Sequence, residues 1–247
     1  MLDMNKVIRC VRLSEWAYGN IQQMKDNLFK HDYSTQNLKF FNKEGAQAYG
    51  MYTKTGEAVV VFRGTEPKEY NDIVADLKAW PSASETKGKV HDGFKDELNK
   101  IYPHILEWLG SKRDKTVIVT GHSLGAAMAS LFAARLHEMD IDVELYTFGS
   151  PRVGNKEWAS QFKDIKAYRF INNNDLICRV PTSLYYKHVG EPYYFSYKGN
   201  MMVNASAWQR FTDRIRSRVR VITKLEIFDS LYDHNIPKYN NRVKENK

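Results

Sequence analysis

Hydrophobic and polar positions in the first quarter of the chain predict two helices and then a pair of strands. Apolar residues recur at helical spacing over residues 2–18, where Gly19 ends the pattern, and residues 21–31 continue as a second helix. Residues 46–53 and 57–62 are rich in apolar side chains, and the short segment between them contains a glycine. These two segments predict strands that are joined by a hairpin turn.

Further along the chain, strands alternate with helices. The apolar pattern predicts helices at residues 93–109, 124–139 and 154–162, and strands at residues 116–120, 142–148, 166–171 and 193–197. Pro103 predicts a kink or a break in the first of these helices. The alternation predicts an α/β fold, with a mainly parallel central sheet and helices on both faces. No repeat or Pro/Gly-rich linker divides the chain, so we expect residues 1–247 to form a single domain.

Residues 208–227 predict a long basic helix. Trp208, Phe211 and Ile215 share one face of it, whereas six arginine and lysine side chains crowd the rest between residues 210 and 224. Such helices usually pack their apolar side on a sheet and leave their charges in water, and this is the arrangement we expect. The alternative is that the helix lies on an anionic lipid surface.

The composition excludes several classes of protein. The chain has 247 residues, of which 43% are apolar and 27% are charged, so it can bury a sizeable core and is neither a disordered chain nor a disulfide scaffold. Cys10 and Cys178 are expected to be free, buried thiols. The net charge of +8 would suit an anionic partner. However, the sequence has neither the spacing of zinc ligands nor a known motif of a nucleic-acid-binding domain, so it does not indicate binding to nucleic acid.

The start of the chain and its apolar runs bear on its location. The first residues mix charge into every turn and lack the apolar core and cleavage site of a secretory signal. The apolar runs are far shorter than the roughly 20 residues that span a bilayer. We therefore expect a cytoplasmic protein, although export without a signal peptide would leave the same pattern.

A candidate nucleophile lies between the strand at residues 116–120 and the helix that follows it. The segment Gly121-His122-Ser123-Leu124-Gly125 has the G-x-S-x-G pattern, in which a sharp strand-to-helix turn strains the serine and exposes its hydroxyl. Its two glycines remove Cβ atoms that would collide with the neighbouring strand and helix. Amides at the helix N-terminus then face the oxyanion that develops after attack. This context indicates a serine hydrolase in which Ser123 is the nucleophile.

A serine nucleophile needs a base and an acid, which follow it in the order serine, acid, histidine in this architecture. Of the later histidines, His137 lies in the helix behind the nucleophile and His188 directly precedes a strand. His234 fits best as the base, because it lies in a loop-like segment after the last predicted strand. Asp175 is the predicted acid, because it follows the carboxyl end of an earlier strand through three asparagines that favour a turn.

Thr65 and Leu124 are the candidates for the oxyanion hole. The strand at residues 57–62 ends in Arg63-Gly64-Thr65, where Gly64 lets the chain turn close to the nucleophile and Thr65 offers an amide and a hydroxyl. Leu124 supplies the first amide of the helix after the nucleophile. The tripeptide by itself also fits an ordinary turn at the end of a strand.

Five motifs occur here in the order that is typical of one family. They are Phe62-Arg63-Gly64-Thr65, His91-Asp92-Gly93-Phe94, Gly121-His122-Ser123-Leu124-Gly125-Ala126, Thr147-Phe148-Gly149-Ser150-Pro151-Arg152-Val153-Gly154, and Asn174-Asp175 leading to Pro181. Over residues 45–190 the chain therefore resembles the class 3 lipases, the fungal-lipase-like branch of the α/β-hydrolases. The resemblance implies an α/β-hydrolase fold and an esterase that acts on acyl esters, often lipids, without a metal or an organic cofactor. It also implies a triad and an oxyanion hole at Ser123, Asp175, His234, Thr65 and Leu124.

The resemblance implies a lid at residues 66–90. Tyr70, Ile73, Val74 and Leu77 are spaced there as one apolar helical face. The alternative is a surface helix that stays packed on the protein.

The substrate that the resemblance implies is a triacylglycerol or another acyl ester. A phospholipase or a non-lipid esterase on the same triad is one alternative, since family members differ in substrate. A non-catalytic lipid-binding module with the same fold is the alternative from another class, and an intact order of serine, acid and histidine argues against it. An anionic lipid surface would be a further partner.

Overall fold

The computed structural model describes residues 2–31, 33–34, 37–65, 80–110, 115–221 and 233–247, and for residues 216–221 it describes the backbone alone. The described helices are α1 (Met4–Trp16), α2 (Ile21–Lys30), α3 (Asp92–Leu109), α4 (Leu124–Glu138), α5 (Lys156–Ser160), α6 (Ala207–Val221) and α7 (Ile236–Glu245). The described strands are β1 (Lys39–Lys43), β2 (Ala46–Tyr52), β3 (Ala58–Phe62), β4 (Pro81–Ala83), β5 (Lys89–His91), β6 (Val117–His122), β7 (Val143–Phe148), β8 (Lys166–Asn172), β9 (Glu191–Phe195) and β10 (Met201–Val203).

One central sheet organises most of the described strands. Its strand order is β1-β2-β3-β6-β7-β8-β9-β10. Strands β3, β6, β7, β8 and β9 pair in parallel, whereas β1 and β2 at one side and β10 at the other pair antiparallel. This confirms the predicted mainly parallel sheet. Because parallel strands end at the same edge, the residues after β3, β6, β7 and β8 come together at its carboxyl edge.

Helices cover both faces of this sheet, as predicted. On one face, α3 packs against β1 and β2 while α4 packs against β3, β6 and β7, and Leu98 and Phe132 are buried in this layer. On the other face, α1 and α7 bury Val11 and Tyr239 against β6, β7 and β8. Strand β6 is buried along its whole length, and α4 is buried from Gly125 to Leu136 because it lies between the sheet and α3. The apolar sequences of these two elements follow from that enclosure.

Pro103 does not interrupt α3, contrary to the predicted kink or break. The helix is continuous from Asp92 to Leu109, and Pro103 lies on its exposed side. The neighbouring Leu98, Ile101 and Ile105 are all buried. Their burial offsets the hydrogen bond that proline cannot donate within the helix.

Several described elements have no signal in the apolar pattern. Strands β4, β5 and β10 have only three residues each, and β1 buries a single side chain, that of Phe41. These strands are defined by what they pack against and not by their own periodicity. Helix α7 has no counterpart among the predicted helices, although its buried apolar positions Ile236, Tyr239 and Val243 recur at helical spacing in an otherwise polar segment.

Helix α6 faces the opposite way from the predicted packing. Trp208, Phe211 and Ile215 on its apolar side are 71%, 50% and 45% exposed. Its buried side carries Asp213, whose Oδ2 accepts hydrogen bonds from Tyr194 Oη and from the Tyr197 backbone N–H, both at 2.9 Å. The helix is therefore held to the protein by a polar anchor, and the expectation that its apolar side packs on the sheet is wrong.

The predicted lid is described only in part. Residues 66–79, with all four positions of the predicted apolar helical face, lie outside the described residues. Residues 81–83 and 89–91 form the antiparallel pair of β4 and β5. None of the helices in the described ranges is long and apolar enough to cross a membrane.

Candidate active site

Ser123 lies in the sharp turn between β6 and α4, which we call the elbow (residues 121–125). Its backbone φ is 58° and its ψ is −128°, a strained conformation for a residue with a Cβ atom. A Cβ atom at Gly121 would lie 2.4 Å from the carbonyl oxygen of Gly125, and one at Gly125 would lie 2.3 Å from that of Phe62. The two glycines therefore let α4 begin close against β3 and β6, for the reason predicted from the sequence.

Asp175 and His234 form a buried pair. His234 Nδ1 lies 2.8 Å from Asp175 Oδ2. Burial alone would raise the pKa of Asp175, but the His234 ring and hydrogen bonds from His234 and Tyr239 outweigh it, so that this pKa is lowered. The carboxylate is therefore ionised and accepts the proton on Nδ1, which leaves His234 Nε2 as the nitrogen that can take a proton.

Tyr239, on α7, contacts the carboxylate of Asp175. The sequence pattern does not predict a role for this tyrosine. Its hydroxyl donates to Asp175 Oδ2 at 2.5 Å and accepts the backbone N–H of Asn172 at 2.9 Å. Burial, and then the charge of Asp175, raise the pKa of Tyr239, so the hydroxyl keeps its proton and remains a donor. A tyrosine shortly after the candidate histidine was the one available signal for this contact.

Asp233 ties the segment that carries His234 to the end of β8. Its Oδ2 accepts the backbone N–H of Asn174 at 3.1 Å, and its carbonyl oxygen accepts Asn172 Nδ2 at 2.9 Å. Lys238 forms an ion pair with the other carboxylate oxygen of Asp233. The asparagines predicted to form a turn after this strand thus also hold the histidine segment in place.

The elbow and the histidine segment meet at their neighbouring residues. The ring of His122 lies against that of His234, with 4.5 Å between the ring centroids. A Cβ atom at Gly149, just after β7, would lie 2.9 Å from His234 Nδ1 and 3.0 Å from Asp175 Oδ2. Ser123 Oγ is buried and has no hydrogen-bond partner among the residues that the structure describes. Three strand ends and the histidine segment therefore converge on one site.

Thr65 and Leu124, the predicted oxyanion-hole residues, line the same pocket of about 310 Å³. A Cβ atom at Gly64 would lie 2.6 Å from the carbonyl oxygen of His122, so the chain after β3 passes directly against the elbow. Leu124 is the first residue of α4, where backbone N–H groups lack partners within the helix. This geometry keeps both residues as candidates for binding an oxyanion.

His188, the rival candidate for the base, contacts a different group. Its Nε2 lies 2.8 Å from the carbonyl oxygen of Cys178, to which it donates. Burial, and then the charges of Arg169 and Arg152, lower the pKa of His188 well below its ordinary value. His188 is therefore a neutral, partly buried side chain that supports the loop after Asp175.

The buried thiols and the remaining polar groups do not suggest a metal centre. Cys10 and Cys178 are both buried and are not disulfide-bonded, as predicted. Burial raises the pKa of both thiols above the ordinary value, which disfavours the thiolate needed for a ligand or a nucleophile. Within the described part of the chain, no three His, Cys, Asp or Glu side chains are grouped so as to hold a metal ion.

Comparison with known families agrees with this geometry. The model of the family Lipase (class 3) matches residues 59–185, a stretch that contains the elbow, Thr65 and Asp175. The chain belongs to the class 3 lipase family. His234 lies beyond the matched stretch, so its assignment depends on its contact with Asp175.

Curated relatives of this lipase-family chain are similar in the same region. It is 32% identical to the lipase of Rhizomucor miehei over 153 residues, which are 56% of this chain and 41% of the relative. It is 27% identical to triacylglycerol lipase OBL1 of Nicotiana tabacum over 197 residues, 73% of this chain and 34% of the relative. The chain thus spans less than half the length of either relative.

The solved structures that resemble this lipase-family chain share its fold. The nonglycosylated LIP2 lipase of Yarrowia lipolytica superposes with a TM-score of 0.68 at 22% identity, covering 84% of this chain and 88% of that chain. Together with the parallel sheet and its two layers of helices, this likeness identifies the α/β-hydrolase fold.

Proposed function

We propose that this protein is a carboxylic-ester hydrolase in which Ser123 is the nucleophile, His234 is the general base and Asp175 orients the base. The observation that carries the proposal is the buried 2.8 Å contact between His234 Nδ1 and Asp175 Oδ2, next to the strained elbow. Burying an ionised carboxylate is costly, and a buried carboxylate that stays ionised against an imidazole is typical of sites of proton transfer.

The proposed reaction proceeds in two halves. His234 Nε2 takes the hydroxyl proton of Ser123 while Oγ attacks the ester carbonyl carbon, and the oxyanion accepts hydrogen bonds from the amides of Thr65 and Leu124. His234 then gives its proton to the leaving alcohol oxygen, and an acyl group remains on Ser123. In the second half, His234 takes a proton from water while the water oxygen attacks the acyl carbon. His234 then returns this proton to Ser123 Oγ as the bond to the acyl group breaks, which releases the acid and free Ser123. Asp175 remains ionised and stabilises the imidazolium in both halves.

A fluorophosphonate probe and simple nitrophenyl esters test this proposal. An activated serine reacts with the probe and hydrolyses the esters, whereas a lipid-binding module that merely kept the fold would do neither. We expect stoichiometric labelling, located at Ser123 by mass spectrometry of the labelled peptide. A folded protein that neither labels nor hydrolyses short-chain esters would overturn the proposed activity.

The proposed substrates are acylglycerols. The support is the similarity to relatives named as a lipase and a triacylglycerol lipase. Acid release from triacylglycerol, diacylglycerol and phospholipid emulsions of equal surface area compares the candidates directly. Faster release from acylglycerols is expected, and faster release from phospholipid would reassign the enzyme to the phospholipases.

Gly149 offers a test of the proposed site that leaves the three reacting residues unchanged. Its φ is 60°, and an added Cβ atom would press on both His234 and Asp175. We expect Gly149→Ala to lower kcat about a hundredfold, because a displacement of about 1 Å at a reacting group has an effect of that order. Steady-state hydrolysis of a nitrophenyl ester, with thermal unfolding measured in parallel, provides the comparison.

Gly110→Ala is the matched control for this experiment. Gly110 follows the C-terminal end of α3 and also has a positive φ, 50°, but an added Cβ atom would meet only the carbonyl oxygen of Glu107, at an ordinary distance of 3.6 Å. Alanine at residue 110 therefore imposes similar backbone strain outside the pocket that Thr65 and Leu124 line, and kcat should stay close to that of the wild type. Equal activity of the two variants would contradict the role of Gly149.

We also propose that α6 binds an anionic lipid surface. The support is its exposed apolar side, formed by Trp208, Phe211 and Ile215, on a helix whose sequence is strongly basic. Asp213 anchors the opposite side of the helix to the protein. Aromatic side chains can then enter the interface while arginines attract anionic head groups, at about 1 kcal/mol for each residue near the surface.

Liposome co-sedimentation tests the lipid contact. We expect binding to rise with anionic lipid content and to fall with salt, and Arg214→Glu combined with Arg218→Glu to weaken it at least about tenfold. The control is Lys163→Glu combined with Lys166→Glu, which makes the same change in net charge at the start of β8, whereas α6 is anchored at the end of the parallel strand β9. Equal binding to neutral and anionic vesicles, or equal loss in both double variants, would contradict a contact through α6.

A further inference from the structure

Tyr18 connects the end of α1 to the elbow. It follows the last turn of α1, and its hydroxyl oxygen lies 2.7 Å from His122 Nδ1. A Cβ atom at Gly64 would lie only 2.3 Å from that oxygen, so the hydroxyl also packs against the segment that leads to Thr65. One side chain just after the N-terminal helix therefore contacts two of the segments that form the candidate site.

His122 continues this connection to the histidine segment. Its Nε2 lies 2.6 Å from the backbone carbonyl oxygen of His234, and the two imidazole rings lie against each other. The side chain is fully buried, and burial, followed by the charge of His234, lowers the pKa of His122 well below its ordinary value. His122 is therefore neutral and carries one ring proton.

The partners of His122 determine where that proton lies. A carbonyl oxygen can only accept, so Nε2 must carry the proton and donate it to His234. Nδ1 is then an acceptor, and the Tyr18 hydroxyl is its donor. Without this donor, the proton could move to Nδ1, and the Nε2 lone pair would then face the carbonyl oxygen of His234 and repel it.

We propose that Tyr18 is a positioning residue of the active site, which fixes the Nε2–H tautomer of His122 and thereby holds the backbone of His234. This inference rests on the proposed function, because it assigns to Tyr18 an effect on the base. Tyr18 touches neither Ser123 nor Asp175 in the contacts described above, and it acts through His122. These contacts join distant parts of the sequence: Tyr18 and His122 are 104 positions apart, and His122 and His234 are 112 positions apart.

Tyr18→Phe is the direct test, because it removes the hydroxyl and keeps the ring. We expect kcat and the rate of fluorophosphonate labelling to fall at least about tenfold, with KM changed less than about twofold, since a misplaced base slows the chemical step and not binding. Tyr49→Phe is the matched control. The hydroxyl of Tyr49 donates to the carbonyl oxygen of Gly19 at 2.8 Å, so this variant loses a hydrogen bond to the residue next to Tyr18 without touching His122.

Two further measurements separate positioning from general destabilisation. Nitrogen-15 NMR of the histidine rings should show His122 as the Nε2–H tautomer in the wild type and a changed tautomer signature in Tyr18→Phe. In a double-mutant cycle, Tyr18→Phe should lower kcat in the wild type but have little further effect in a His122→Phe background. In that background the ring nitrogens through which Tyr18 acts on His234 are already absent.

The outcomes distinguish this inference from the proposed function. If the wild type labels and hydrolyses esters while Tyr18→Phe does so at the rate of Tyr49→Phe, the positioning role is wrong and the proposed activity stands. A full Tyr18→Phe effect in the His122→Phe background would also overturn it. If the wild type itself is unreactive, the proposed function fails, and the NMR tautomer of His122 still tests the hydrogen-bond arrangement.

Discussion

Ser123→Ala is expected to lower the kcat of ester hydrolysis on the order of a million-fold, the scale seen when a triad nucleophile is removed. The physical reason is that no other group at the elbow can form the acyl intermediate. Alanine accepts the backbone conformation at φ 58° about as well as serine does, so the strain of the elbow is unchanged. Hydrolysis of a nitrophenyl ester over several orders of enzyme concentration measures the loss.

Ser130→Ala is the control for Ser123→Ala. Ser130 is a buried serine on α4, the same helix that begins at the elbow, and its hydroxyl donates to the carbonyl oxygen of Ala126 at 2.8 Å. Its replacement removes a hydroxyl from the same helix without changing the nucleophile, so kcat should stay within a few-fold of the wild type. Substantial activity in a clean Ser123→Ala preparation would disprove the acyl-enzyme mechanism.

The elbow could be predicted from the sequence because its signals are local. The buried strand β6, the glycines at positions 121 and 125 and the apolar helix α4 follow one another without a gap. Each requirement involves residues that are neighbours in the chain or in the next element. In the structure, Gly121 lies close to Gly125 and Gly125 lies close to Phe62, so the two glycines of the motif are required by these backbone contacts.

The surroundings of Asp175 could be predicted only in part. Chain order and a loop position favoured His234 over the other later histidines. The contacts that hold this arrangement join residues about 60 apart, such as Asp233 with Asn174 and Tyr239 with Asp175, which are 59 and 64 residues apart. Contacts of this kind have no local periodicity, so the role of Tyr239 could not be derived from the sequence pattern.

The orientation of α6 could not be predicted for a different reason. Helical periodicity separates an apolar side from a polar side, but it does not decide which side meets the protein. Here a single buried carboxylate, that of Asp213, finds two donors at Tyr194 and Tyr197 and fixes the polar side inward. The usual assumption that the apolar side is buried is therefore wrong for this helix.

His234→Ala is expected to lower kcat about as far as Ser123→Ala, because the members of a triad act as a unit. Without the imidazole, the Ser123 hydroxyl has no acceptor for its proton, and the ionised Asp175 is left as a buried charge with one donor fewer. The double variant Ser123→Ala with His234→Ala should be no slower than either single variant. Thermal unfolding of each protein separates lost chemistry from lost folding.

His188→Ala provides the contrast that decides the identity of the base. Its loss removes the donor to the buried carbonyl oxygen of Cys178, and we expect a loss of stability of about 1–3 kcal/mol from that unsatisfied group. The kcat per folded molecule should nevertheless remain within a few-fold of the wild type, because His188 does not contact Asp175. If His188→Ala abolished hydrolysis while His234→Ala remained active, the base would be His188, and the contact between His234 and Asp175 would have only a structural role.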